Sequence, residues 1–223
     1  MALIDDIKNK VELTIKIQGS FNPTIFQPFW FEKMGLLESN EMEISEPEVD
    51  IIHKEVALLS SNYFKLKVTK NEFLITTTPY EFGHLLIDVV IGIFTILNQT
   101  PIKEIDMMAD GHFNLSSPNR FGEIISYNFG SDNSDGILRS PKLNSISIIE
   151  EVEKSEFPKY VRIDDCPNNK RHIQIYIGQK FDLSFEFGKS TFGEVIPDFF
   201  SEHGVEVFDS SINQIEKLLI PNE

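Results

Sequence analysis

Three short patterns in this sequence contain residue types that could do chemistry, and each lacks a part that the chemistry needs. Gly188-Lys189-Ser190-Thr191 ends like a phosphate-binding loop, but Leu183 stands where the first glycine of that loop is required. His53-Lys54-Glu55 has the H-x-E of a zinc deaminase without the P-C-x-x-C that completes its zinc site. Asp164 and Glu150, with a histidine, could form a carboxylate metal site.

Each of these patterns also has a structural explanation, which we favour. The first fits a strand-to-helix turn, the second a surface pair, and the third a chance pairing of acids that are abundant in this chain. We therefore expect a protein with no catalytic residue, no metal and no cofactor. A metal-dependent hydrolase or nuclease with a carboxylate site stays open as the alternative.

Composition narrows the functional classes further. The chain has 223 residues, 41% of them hydrophobic, and a net charge of −15 from 20 basic and 35 acidic residues. An acidic surface repels phosphate backbones, which argues against a nucleic-acid binder. Cys166 is the one cysteine, so an intrachain disulfide framework is excluded.

An aromatic cluster followed by a run of acids is the feature that most favours a binding function. We expect hydrophobic anchors for a protein partner at Phe29, Trp30 and Phe31. The acids after this cluster are expected to steer a basic partner towards it, and they are Glu41, Glu43, Glu46 and Glu48. An N-terminal aromatic minicore and a solvated connection are the competing interpretations.

Hydrophobic periodicity predicts the elements that would position these residues. In the first half we expect a strand at Val11–Gly19, an edge strand or packed loop at residues 25–31, and a helix that begins at Thr78-Pro79. Between them we expect an antiparallel meander, with strands at about residues 49–59, 63–69 and 73–77, and after the helix a strand or pair within residues 102–115.

The second half repeats this order of elements. Strands are expected within residues 145–152, 160–163 and 173–187, followed by a helix at 192–202 that His203-Gly204 closes and by a last helix at 211–219. The predicted fold class is α+β, with two antiparallel-sheet halves in strand-strand-strand-helix order and helices on one sheet face. Residues 1–115 and 142–223 form the halves and 116–141 connect them, unless the chain is one continuous domain.

Four stretches of the chain resemble an uncharacterised, sporadically distributed bacterial protein family. The resemblance covers mainly the first half, and the stretches are Val11–Gly19 and residues 21–31, 51–56 and 90–94. It implies an α+β fold and a bacterial cytoplasmic setting, and it transfers no catalytic residue. A patchy distribution suits accessory functions such as defence against phage or immunity to toxins.

Together these observations predict a non-catalytic, acidic protein-binding module, which would act as an inhibitor, an immunity protein or a subunit of a bacterial defence assembly. Acids replace the positive start of a signal peptide, and the longest apolar stretch is too short to cross a bilayer, so we expect a cytoplasmic protein. A homo-oligomer that pairs through edge strands is a further hypothesis.

Overall fold

One antiparallel sheet of ten strands is the framework of this protein. The structure is a computed structural model that describes residues 7–36, 48–114, 145–150, 159–165, 172–183 and 191–219. The strands are β1 (Val11–Gly19), β2 (Glu48–Ile52), β3 (Val56–Ser60), β4 (Lys65–Thr69), β5 (Glu72–Thr77), β6 (Pro101–Asn114), β7 (Ser145–Glu150), β8 (Lys159–Asp165), β9 (His172–Asp182) and β10 (Thr191–Phe192).

The strand order places the first and sixth strands side by side at the centre. Along the sheet the order is β2-β3-β4-β5-β1-β6-β9-β8-β7, and β10 pairs with the start of β6. β6 and β9 pair from Glu104↔Asp182 to Asn114↔His172, so strands from both predicted halves share one sheet. The α+β class is confirmed, while the division into two strand-strand-strand-helix halves stays a prediction.

Alternation of apolar and polar residues along β1 separates the two faces of the sheet, although Thr14 on the polar face is also buried. Ile15 is fully buried and lies between Ile75 of β5 and Met107 of β6, which are fully buried as well. The intervening Glu12 and Lys16 point to the opposite face and are half-buried. Period-two alternation is what an antiparallel sheet with one covered face requires.

The helices cover the face to which Ile15 points. The helix at Gly83–Ile96 buries Val90, Ile93 and Phe94, and the Phe94 ring lies 5.4 Å from that of Phe73 on β5. The last helical segments pack on β6 and β9. The helices are α1 (Pro28–Lys33), α2 (Gly83–Ile96), α3 (Val195–Phe199) and α4 (Val205–Leu219), with 3₁₀ turns at Pro23–Ile25 and Tyr80–Phe82 and a π turn at Phe200–Gly204. Within the described ranges, no helix combines the length and apolar character that crossing a membrane requires.

The segment expected to be an edge strand or a packed loop is helical instead. Asn22 caps the first 3₁₀ turn by accepting a hydrogen bond from the Thr24 amide, and Pro28 stands at the first position of α1. Proline is favoured there because the first amide of a helix has no intrahelical acceptor and the ring already holds φ at a helical value. The proline that excludes a central strand thus begins a helix.

The helix predicted to end at His203-Gly204 continues without a break. α3 passes through the π turn directly into α4, which begins at Val205 rather than near Ser211. A Cβ atom on Gly204 would lie 3.1 Å from Ile87 Cδ1 of α2. Gly204 therefore serves close packing between helices and not a helix cap.

Two strand predictions also change in detail. Residues 49–59 form two strands, β2 and β3, because the chain turns back between His53 and Val56, whose backbone groups hydrogen-bond to each other. Residues 102–115 were expected to hold a strand or pair, and they fall almost entirely in the single long strand β6.

Gly19 offers a test of how tightly the central strands meet. A Cβ atom there would lie 2.4 Å from the backbone oxygen of Pro101, which cannot move without shifting β6. We expect Gly19→Ala to lower the free energy of unfolding by about 1–3 kcal/mol, measured by urea unfolding.

Gly92→Ala is the matched control. Its Cβ would meet only the side-chain end of Leu36, and alanine is favoured over glycine inside a helix by up to about 1 kcal/mol. We expect Gly92→Ala to leave stability unchanged or raised. If Gly19→Ala is as stable as the wild-type protein, the close approach of Gly19 to Pro101 is contradicted.

Candidate functional site

A row of acidic side chains follows the exposed side of the last helical segments, and we call it the acidic stripe. Four of its members are exposed and the fifth is half-buried. Residues 191–216 contain no lysine or arginine, so the only cationic group that this segment could provide is His203. The stripe consists of Glu194, Asp198, Glu202, Glu206 and Asp209.

The continuity of the helix keeps these acids on one side. They are spaced by four, four, four and three residues. In an α-helix of 3.6 residues per turn, a four-residue step overshoots one turn by about 40°, so such a row drifts around the axis. The wider π turn at Phe200–Gly204 takes more residues per turn and reverses part of that drift.

Apolar packing on the opposite side holds the stripe in place. Phe199 lies edge-on to Phe181 of β9, with 4.6 Å between ring centroids, and Phe208 and Ile212 are buried. The helix is therefore anchored to the sheet by one side and presents the other to solvent. The acids of the stripe are therefore the polar side of an amphipathic helix.

Part of the stripe lines an open cleft of about 740 Å³ beside β8. Glu202, Glu206 and Asp209 contribute acids to its wall, and Lys159 enters from β8, where its Nζ donates to Ser210 Oγ over 2.7 Å. Lys217 also lines the cleft. The acids in the wall can therefore attract cationic groups into the cleft. Lys159 and Lys217 are the basic residues of the same wall.

Asp209 joins the stripe to the body of the protein. Its carboxylate accepts a hydrogen bond from the Tyr80 hydroxyl in the 3₁₀ turn before α2. Burial, together with this bond to Asp209, raises the pKa of Tyr80 to about 12. Tyr80 therefore remains protonated and donates at physiological pH.

The sheet face that carries no described helix holds a second group of carboxyl groups, on β1 and β6. Burial is the main cause that raises the pKa values of Glu12, Asp106 and Asp110, and the carboxylate of Asp110, the direct cross-strand neighbour of Glu12, raises the pKa of Glu12 further. The Tyr160 hydroxyl donates to Asp106 Oδ1 over 2.8 Å. The Tyr160 side chain lies over Gly178, where a Cβ would lie 2.3 Å from the hydroxyl oxygen and 2.4 Å from ring atom Cζ.

Most charges around these carboxyl groups are paired within the sheet. Lys180 contacts Glu104 at 2.7 Å, and on β8 Arg162 contacts Asp164 at 2.9 Å. The Gln174 amide donates to both oxygens of Asp110, at 3.0 and 3.2 Å. Apart from Glu12, which faces the like charge of Asp110, the carboxyl groups named on this face have hydrogen-bond or ion-pair partners on neighbouring residues.

The three predicted aromatic anchors have very different environments. Phe29 is 68% exposed, Trp30 is half-buried and packs against Phe26 and Phe31, and Phe31 is fully buried. The helical turn explains the difference, because successive side chains of α1 point in different directions. Phe31 is a core residue, and Phe29 alone is largely open to a partner.

The predicted steering acids lie mostly outside the described residues. Glu41, Glu43 and Glu46 fall between α1 and β2, in a segment outside those ranges. Glu48 is the first residue of β2, where its backbone position is opposite Ser60. Their steering role stays a prediction.

The structure separates the residues of the alternative metal site. Glu150 pairs with Lys159 at one end of the β7–β8 ladder, whereas Asp164 pairs with Ser145 at the other end, about 17 Å away at 3.4 Å per residue. Across the ranges that the structure describes, no three His, Cys, Asp or Glu side chains form a metal-binding group.

The other short patterns do not add a site. His53 lies in the turn between β2 and β3, where its Nδ1 accepts the Glu55 amide over 3.3 Å, and Glu55 pairs with Lys70 at 2.8 Å. Residues 188–190 of the partial phosphate loop lie outside the described residues, and Thr191 begins β10.

Sequence reasoning missed the acidic stripe although its signal is present. Acids at four-residue spacing without an intervening lysine or arginine are visible between residues 194 and 209. The expected break at His203-Gly204 divided the pattern into two short helices. The carboxyl groups on β1 and β6 have no comparable signal, because strand register brings them together.

Comparison with known proteins supplies no family for this chain. No protein-family model matches it, and no curated protein matches it either. A functional interpretation therefore depends on the geometry of the described residues.

Substitutions in α1 should separate the exposed from the buried aromatic residue. We expect Phe31→Ala to lower the free energy of unfolding by about 3–5 kcal/mol, because it leaves a cavity in the core. Phe29→Ala should change it by less than about 0.5 kcal/mol, because the side chain is exposed. Urea unfolding of both variants measures this, and equal losses would show that Phe29 also supports the fold.

Because Asp110 lies opposite Glu12, removing the charge of Glu12 should stabilise the protein, and the size of this effect should depend on pH. The folded-state pKa of Glu12 lies above its unfolded value, so the folded protein binds more protons between the two values, and its stability falls as the pH rises through them. We expect Glu12→Gln to raise the free energy of unfolding at pH 7 by up to about 1 kcal/mol, the scale of cross-strand pairs. The gain should vanish below about pH 4.

Glu104→Gln is the control on the same sheet face. It removes the ion pair with Lys180 and should lower stability at pH 7. Urea unfolding at a series of pH values compares the two variants. A Glu12→Gln protein less stable than wild type at pH 7 would disprove the repulsion.

Proposed function

We propose that this protein is a non-catalytic protein-binding module that docks a partner with a basic surface onto the acidic stripe. The observation that carries the proposal is the stripe itself, which follows the exposed side of the last helical segments, and residues 191–216 contain no lysine or arginine. The stripe consists of Glu194, Asp198, Glu202, Glu206 and Asp209. The net charge of −15 also favours a positively charged partner.

Electrostatics explains what such a stripe would do. At 1.5 Å per residue, the acids from 194 to 209 extend over about 22 Å, comparable with the contact region of a standard interface. A row of one sign attracts an oppositely charged surface over about one Debye length and raises the association rate. The 740 Å³ cleft would admit lysine or arginine side chains between the helix and β8.

A complete interface also needs an apolar anchor, and Phe29 is our candidate for it. It is 68% exposed, and it belongs to the aromatic cluster at Phe29, Trp30 and Phe31. Trp30 would contribute its exposed part, and Phe31 would support both from the core. The acids Glu41, Glu43, Glu46 and Glu48, which follow this cluster in sequence, would add to the steering of a basic partner.

The biological role that we propose for this binding is that of an inhibitor, an immunity protein or a subunit of a bacterial defence assembly in the cytoplasm. An acidic protein-binding module and the resemblance to a bacterial family support such a role. The carboxylate metal-site alternative has no comparable support, because Glu150 and Asp164 lie at opposite ends of their strand pair.

A charge-reversal experiment tests the docking surface. The double variant Glu202→Lys/Glu206→Lys changes two exposed acids in the stripe, and Glu81→Lys/Asp88→Lys makes the same charge change on exposed positions around α2. Tagged wild-type and variant proteins capture partners from native lysate at low and high salt, with mass spectrometry as the readout. We expect one basic protein that wild type and the α2 variant recover at low salt.

The stripe variant should lose at least about tenfold of that recovery, because two attractive charges become repulsive. High salt should reduce recovery by wild type, since it screens exposed charges. Equal recovery by all three proteins would refute the docking surface. Recovery of no basic partner by wild type would count against the proposed function.

A further inference from the structure

The two edges of the sheet are built differently. At one edge, β2 carries two acids, Glu48 and Asp50, and its pairing with β3 contains a bulge between Val49 and Ile51. Bulges and charges are the devices by which natural edge strands avoid pairing with other chains. At the other edge, β7 pairs with β8 in unbroken register over six residues.

β7 lacks these protective devices. Its sequence, Ser-Ile-Ser-Ile-Ile-Glu, contains no lysine and no proline, and Glu150 is its single ionisable residue. Ser147 is exposed, Ile148 is half-buried and Ile149 is 69% exposed. As the last strand of the described sheet, β7 has a side without a neighbouring strand, where alternate N–H and C=O groups point outwards.

We propose that β7 is the strand through which two copies of this chain pair, antiparallel about a two-fold axis, so that their sheets become one. This interaction goes beyond the proposed function and uses a different surface, because the stripe lies on the helices and β7 on the sheet edge. The geometry assigns the contact to β7 and not to β2.

Charge argues for a second copy as the occupant. A strand with one ionisable residue in six offers a basic partner little to bind, whereas two such strands can approach without facing like charges. In a pairing centred on Ile148, Glu150 of each copy lies opposite Ile146 of the other. Ile149 then lies diagonal to its own symmetry mate, at about 7–8 Å, within reach of apolar contact.

The net charge sets the salt dependence of this association. Two copies that each carry −15 repel, and added salt screens that repulsion, so the dimer should become tighter as salt rises. Binding of a basic partner to the stripe should weaken under the same change. The two interactions can therefore be distinguished in one salt series.

Two matched lysine variants test the assignment. Ile149→Lys places a charge on the exposed face of β7, and Ile51→Lys makes the same change at a 49% exposed position on β2. We expect sedimentation velocity of the wild-type protein to give a dimer of twice the 25.6 kDa chain mass. Ile149→Lys should raise the dimer dissociation constant at least about tenfold, because the loss occurs twice across the two-fold axis.

Ile51→Lys should leave the dissociation constant within about twofold of wild type, since lysine at an exposed position changes little there. Thermal unfolding of both variants checks that the fold is retained. A wild-type monomer in low and high salt would overturn the proposal, and so would a stronger effect of Ile51→Lys than of Ile149→Lys. Weaker association of the wild type at higher salt would also contradict it.

Discussion

One-sided burial of the antiparallel sheet is the constraint on which the rest of the structure depends. Ile15, Ile75 and Met107 lie next to one another on the covered face, and the helices obtain their own burial by packing there. Because side chains alternate along a strand, covering one face sends every second residue to the other. The polar network around Asp106 and Asp110 follows from that geometry.

The same constraint divides the charges of the protein into two kinds. On the open sheet face opposite charges are in contact, because strand register brings Lys180 to Glu104 and alternation along β8 places Arg162 beside Asp164. On the outer side of α3 and α4 the stripe presents five acids, and the lysines near them, Lys159 and Lys217, stand at the cleft beside its second half. Paired charges contribute little to long-range attraction, whereas a row of one sign attracts a partner from a distance. The functional proposal depends on this contrast.

An open antiparallel sheet has two edge strands, and the edge strands of the described sheet, β2 and β7, differ in sequence. β2 combines acids with a bulge, while β7 continues the regular ladder to its last residue. A regular edge with a single ionisable residue can extend the sheet by accepting another strand. The helical face and the edge can therefore bind different partners without competing for the same residues.

Local patterns were sufficient to predict much of this architecture. The alternation in β1, the broad apolar side of α2 and the short turns of the meander identified strands, a central helix and the α+β class, because burial imposes a period of 2 on strands and 3.6 on helices. Phe29 and the acids of the stripe are likewise visible in the sequence, but local patterns do not show which of these side chains face solvent.

Tertiary contacts decided what those patterns left open. Gly204 has the residue type of a helix cap, and only the close approach of Ile87 shows why glycine stands inside a continuous helix. Phe31 has the type of an interface anchor, and only packing beneath Trp30 makes it core. Glu12 and Asp110 meet although 98 residues separate them in sequence, because the register of β1 with β6 is set by contacts along the whole ladder. Such long-range choices depend on the sum of many contacts, which no short stretch of sequence contains.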